Sequence, residues 1–172
     1  MKLKKKKGFT LIEMMAALAI FVIVLTTVTS LIVTLFKYNS INKETFDSNS
    51  KSKVFFETVR GNRPDNIRTY PNDGSYYISF NSDDDLVVAT KEKLLKKDIS
   101  SGAGYAVGTC NSADDLAALK GKSGVIDKEY VLKVNVLKNT SQNVYEFGVA
   151  AWHIPKGEVS IIERKALIST EP

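Results

Sequence analysis

The chain has 172 residues, enough for one domain with its own core and too few for two large ones. Its apolar fraction of 44% is ordinary, but much of it lies in one block from Phe9 to Phe36, and the formal net charge of +5 is as unevenly placed. Lys2, Lys4, Lys5, Lys6 and Lys7 supply five of the 24 Lys plus Arg; 24 − 5 leaves 19 against 19 Asp plus Glu, so the rest is formally neutral and basicity is no argument for a nucleic-acid partner.

The lysine-rich start is followed by 23 residues, Met14 to Phe36, without a charge, a proline or a glycine. As a helix this run covers about 34 Å, enough to cross the hydrocarbon core of a bilayer. Lysines before it put the N-terminus in the cytoplasm and everything after Lys37 outside. A secretory signal peptide is the competing reading. The run is too long for one, and it leads into Lys37-Tyr38-Asn39-Ser40 rather than a small-residue cleavage site. Glu13 lies inside the apolar block, where a carboxylate costs on the order of 2.5–3.5 kcal/mol at a helix centre and less near the interface. Either it snorkels to the cytoplasmic face or it has a dedicated partner.

Lys4-Lys5-Lys6-Lys7-Gly8-Phe9-Thr10-Leu11-Ile12-Glu13, running into a long apolar helix, resembles the class III leader of type IV prepilins and pseudopilins. The resemblance covers residues 4–36. It implies cleavage by a prepilin peptidase between Gly8 and Phe9, and N-methylation of the new Phe9 amine by the same enzyme. It also implies that Glu13 pairs with the amine of a neighbouring pilin subunit during filament assembly. Two buried charges that are each costly become tolerable as a pair, and the pairing fixes axial register. Many pilins have Gly or Pro within the N-terminal helix; this chain has neither between Phe9 and Arg60, so a continuous helix is expected.

Beyond the span, Tyr38 to Arg60 still reads as helix. Tyr38, Ile41, Thr45, Phe55 and Val59 fall near one stripe, with Lys43, Glu44, Asp47, Lys51 and Lys53 off it. Gly61-Asn62-Arg63-Pro64 is the stop signal. Phe55, Phe56 and Val59 are expected to pack on whatever folds next. Tyr76 to Phe80 and Leu86 to Thr90 read as a hairpin around a polar turn, and Ser100 to Gly108 as a Gly-rich loop. Ser112, with Asp115 three residues on, predicts a capped short helix over Leu116–Lys120 before Gly121. Tyr130–Lys138 and Val144–His153 read as strands around the Asn139–Asn143 turn. Pro155-Lys156-Gly157 turns into a third strand over Val159–Ser169.

The expected fold is therefore α+β, a long N-terminal transmembrane and amphipathic helix packed on an antiparallel β-meander, which resembles the pilin fold. Residues 1–8 are expected to be a leader removed on maturation, 9–60 the helix with 9–36 spanning the membrane, and 61–172 a mainly β globular domain.

Catalytic chemistry has little to stand on. His153 is the only histidine, so any His-based metal site or triad would have to be built around it. Gly102-Ala103-Gly104 lies outside any strand-to-helix setting and there is no G-K-[ST]. Cys110, the only cysteine, excludes an intrachain disulfide and has no neighbour that would activate a thiolate. One stretch offers oxygen ligands at alternate positions, Asn81, Asp83 and Asp85, with Glu92 where the twelfth residue of a calcium loop would stand. Leu86 occupies the position that loop gives to glycine, so a solvated turn is favoured and no metal or cofactor is expected. Lys91, Lys93, Lys96 and Lys97 form the only lysine cluster beyond the leader, with Asp83, Asp84 and Asp85 nearby, which disfavours nucleic acid as a partner. The two function classes left are a non-enzymatic filament subunit and a permanently anchored single-pass surface protein with a ligand- or DNA-binding ectodomain.

Overall fold

The computed structural model describes residues 9–62, 72–139, 141 and 144–169. The Met1–Gly8 leader, Arg63 and Pro64 of the stop signal, and Thr140, Gln142 and Asn143 of the polar turn lie outside the described residues. The chain divides into two compact units, one ending at Ser40 and the other beginning at Ile41.

Helix α1 runs from Leu11 to Gly61 and contributes to both units. From Phe9 to Ser40 every side chain is exposed, and among the described residues this is the one helix long and apolar enough to cross a membrane. Its hydroxyls are satisfied internally: Thr26, Thr27, Thr29 and Thr34 each donate to a carbonyl three or four residues back, at 2.8 Å. An apolar surround therefore leaves none of these donors orphaned.

In the second unit, Ser48, Ser52, Phe55, Phe56, Thr58 and Val59 of α1 are buried. The small serines let the helix lie close, and the Phe55 ring meets Phe147 edge-on at 6.2 Å. The expected packing by Phe55, Phe56 and Val59 is observed, but the stripe differs. Tyr38 and Phe46 are exposed, whereas the side chains of Glu44 and Lys51 are both mostly buried. Polar partners on the sheet side hold these charges, which a hydrophobicity pattern does not register.

The sheet has five antiparallel strands in the order β2-β1-β3-β4-β5, with β1 Gly74–Phe80, β2 Tyr105–Cys110, β3 Tyr130–Asn139, β4 Val144–His153 and β5 Ile162–Ser169. The β3-β4-β5 meander is as expected, and β1 and β2 extend it. Period-two alternation splits the core. Ile78, Phe80, Leu132, Val134 and Phe147 pack with Phe55 and Val59 of α1, while Tyr77, Val131 and Trp152 pack with Leu116 and Leu119 on the other face.

Four expectations are corrected. Leu86–Thr90 is no strand: α2 spans Asp83–Val88 and continues as a π-helical turn over Ala89–Leu94. Ser82 caps α2 by accepting from the Asp85 amide, and Asp83, Asp84 and Asp85 fill the first turn, where carboxylates favour the helix dipole. Leu86, Ala89, Thr90 and Leu94 are then buried at helical spacing, which outweighs the β-branched composition.

The Gly-rich segment is not only a loop, since Tyr105–Cys110 pairs with β1. Its Gly108 lies opposite Tyr77, where an added Cβ would come within 2.5 Å of the ring. The glycine that disguised the strand is the one that makes room for the tyrosine. Finally, α3 (Leu116–Lys120) is capped by Asp115, which accepts from the Ala118 amide, and not by Ser112. Pro155–Gly157 belongs to a 3-10 segment, Ile154–Ser160, so β5 starts at Ile162 instead of Val159; Gly157 has φ 68, a left-handed conformation that glycine adopts without strain.

Candidate functional site

The N-terminal end of α1 combines a carboxylate with a helix start. Glu13 Oε2 accepts from the Thr10 amide at 2.8 Å and from Thr10 Oγ1 at 3.0 Å, while Thr10 Oγ1 faces the Glu13 amide at 3.3 Å. This is a reciprocal capping box. It satisfies two of the amides that a helix start leaves open and seats a negative charge at the positive end of the dipole. Chemically, the arrangement can hold a carboxylate at the head of an apolar helix with two donors. The T-x-x-E signature of this box stands in the sequence at Thr10-Leu11-Ile12-Glu13, and reading Glu13 only as an intramembrane acid missed it. Phe9 and Ile12 next to it are exposed.

A second polar cluster ties α1 to the strand ends of β3 and β4 in the Ile41–Pro172 unit. His153 Nδ1 lies 2.6 Å from Glu44 Oε2, and the ring stacks on Tyr130 at 4.9 Å. Tyr130 donates its hydroxyl to Asp47, and burial together with that carboxylate pushes its phenol pKa up. Lys51 Nζ sits 4.8 Å from the centre of the Tyr130 ring and 2.8 Å from Asp83. The single histidine thus joins a helix-docking network.

The remaining sequence candidates are dispersed. Asp83 pairs with Lys51, and Asn81 Oδ1 accepts from the Glu129 amide. Asp85 lies in the first turn of α2, its carboxylate where a Cβ on Gly104 would be. Among the described residues no group of three or more His, Cys, Asp or Glu is placed to hold a metal ion. In the lysine cluster, Lys93 bonds Asp98 and Ser100, each at 2.8 Å, and Lys96 pairs with Glu92. The Lys93–Asp98 bond raises the amine and lowers the carboxyl pKa, so both are held charged. Burial, and then the Asp114 charge, pushes the Cys110 thiol up to about 11, the opposite of an activated thiolate.

Comparison with protein families places the prokaryotic N-terminal methylation motif on residues 3–29. The chain carries a type IV prepilin-like class III leader, and its long apolar helix followed by an antiparallel sheet is a pilin-like α+β arrangement. This leader class marks substrates of prepilin peptidase and structural, membrane-associated proteins. Neither the comparison with curated proteins nor that with solved structures finds a match.

Proposed function

We propose that this chain is a structural subunit, a minor pilin or pseudopilin, of a type IV pilus or a related type II secretion or competence filament. The observation that carries the reading is the Thr10–Glu13 capping box at the head of an exposed apolar helix, inside the methylation motif. In this reading the precursor inserts with its lysines in the cytoplasm. Prepilin peptidase cuts between Gly8 and Phe9 and methylates the Phe9 amine. The mature chain, beginning at Phe9, then leaves the membrane for a filament whose core is packed apolar helices. Glu13 exchanges its Thr10 donors for the cationic amine of a neighbour. The exchange is favourable because a cation adds a full charge–charge attraction, which the neutral Thr10 donors lack, where water is excluded.

A Gly8→Val substitution tests this. The variant is expected to keep Lys2–Lys7 and run as a heavier, unmethylated precursor, while the parent chain begins at methylated Phe9 by N-terminal mass spectrometry. Normal processing of the variant, or intact Lys2–Lys7 on the parent, would instead favour a permanently anchored surface protein.

A further inference from the structure

Charge is close to balanced over the chain beyond the leader, yet the fold separates it. A groove of about 400 Å³ opens between the last turns of α1 and strand β5. Lys53, Arg60, Arg164 and Lys165, together with one carboxylate, Glu57, line it around a floor that includes Phe56 and Ala166. Two of these cations are engaged within the chain, Lys53 with Glu57 at 3.6 Å and Lys165 with Glu146 at 3.4 Å. Among the described residues, Arg60 and Arg164 are exposed and make no ion pair. Two guanidinium groups over an apolar floor are suited to carboxylates, which they grip through two parallel bonds.

The carboxylates lie at another place on the same unit. Asp83, Asp84 and Asp85 begin α2, and the Asn81 bond to the Glu129 amide brings Asp127 and Glu129 to that end of the sheet. Asp83 is taken by Lys51, but Asp84, Asp127 and Glu129 are exposed. This acidic end is level with Lys51 on α1, and Arg60 in the groove is nine residues further, about 13 Å along the helix axis.

We propose that the Arg60–Arg164 groove is an assembly surface that receives the Asp84–Asp127–Glu129 end of a second copy of this chain. A copy shifted along α1 by about that distance, helices parallel, brings its acidic end beside the first copy's groove. The contact is head-to-tail, so each copy keeps one groove and one acidic end for the next, and such a contact propagates into a filament. Opposite charges set its register and suppress a shift that would bring like charges together. The inference rests on the reading of the chain as a filament subunit, and adds which surfaces outside the apolar helices meet.

Zero-length carbodiimide cross-linking of the full-length chain in the membranes of its own cells tests it, because the reagent joins only touching amines and carboxylates. A dimer-sized product is expected in which Lys53 or Lys165 is joined to Asp84, Asp127 or Glu129. R60E/R164E should lower its yield by about fivefold or more, since each exposed pair contributes up to about a fivefold factor. Co-expression of R60E/R164E with D84K/D127K should restore the dimer-sized product. All four positions are exposed, and an unchanged melting curve shows that a loss is not misfolding. An undiminished yield in R60E/R164E overturns the proposal. So do dimers joined only elsewhere, or Lys53 and Lys165 cross-linked to a different protein. A parent chain that starts at methylated Phe9 but does not form the dimers joined through Lys53 or Lys165 leaves the filament reading standing and removes only the groove. A chain that is neither processed nor cross-linked removes both.

Discussion

Two stretches of the same helix meet different surroundings. Between Phe9 and Ser40 no side chain is buried, and large apolar residues are exposed on every side. Between Ile41 and Gly61 six side chains are buried, two of them serines, and Glu44 and Lys51 beside them have partners on β4 and α2. A helix that is apolar all round has its solvent outside the chain, in lipid or in packed neighbours. A helix that mixes serine, phenylalanine and paired charges has its solvent inside the chain. The composition of each stretch therefore reports where its binding energy is made, and only the second stretch contributes to the stability of the sheet domain.

The largest test of that difference removes one ring from the second stretch. Phe55 is fully buried and stands edge-on to Phe56 and Phe147 at 5.6 and 6.2 Å. Phe55→Ala is expected to cost about 3–5 kcal/mol, the range for deleting a buried aromatic ring. Leu25, about half exposed in the first stretch, belongs to neither core of the sheet domain. Leu25→Ala should leave the melting of the sheet domain unchanged in detergent. Equal losses in both variants would mean that the two stretches are not energetically separate.

That difference was largely legible in the sequence. The charge-free run, the leader spacing and the alternation of β3 and β4 are local signals, and the strand over Val144–His153 matches residue for residue. What escaped depended on partners far along the chain. Glu44 looks like a solvent-facing helix residue until His153, 109 positions later, closes on it. Tyr105–Cys110 looks like a loop because Gly108 weakens its pattern, and only the opposing Tyr77 explains that glycine. Lys53, Arg60, Arg164 and Lys165 look scattered in a neutral chain until α1 and β5 bring them to one groove. The Leu86–Thr90 error is of another kind, because the capping serine, the acidic first turn and the helical spacing of Leu86, Ala89 and Leu94 were all in view. Local β-propensity points the other way, and tertiary burial of that helical spacing outweighs it.

A smaller effect checks that correction and sharpens the account of the second stretch, since α2 receives Lys51 from α1. Ser82→Ala removes the acceptor for the Asp85 amide and should cost about 1 kcal/mol, a usual value for a lost N-cap. The chemical denaturation midpoint of the sheet domain is the measurement. A neutral result would speak for an uncapped strand over these residues.

The smallest expected effect concerns the polar contact that distinguishes the second stretch from the first. Tyr130 donates to Asp47 of α1, and both burial and the Asp47 charge favour the neutral phenol in the fold, above the ordinary tyrosine value of 10.0. Below pH 10 folded and unfolded chains both hold the proton, and the contact contributes fully. As pH rises past 10 the unfolded chain ionises first, so the contribution is lost progressively toward the higher folded value. Tyr76, Tyr77 and Tyr145 shift in the same direction, so the parent domain should lose stability steadily in this window. Tyr130→Phe isolates one share of that loss. It should be less stable than the parent by about 0.5–1 kcal/mol near neutral pH, where the bond to Asp47 is missing. The gap should then narrow above pH 10, because the variant has no phenol at this position to ionise. A variant as stable as the parent near neutral pH would mean that residue 130 stabilises the domain by ring packing alone, through Phe80 and His153. In that case Asp47 would not hold α1 to the sheet, and the second stretch would depend on its apolar contacts as the first does.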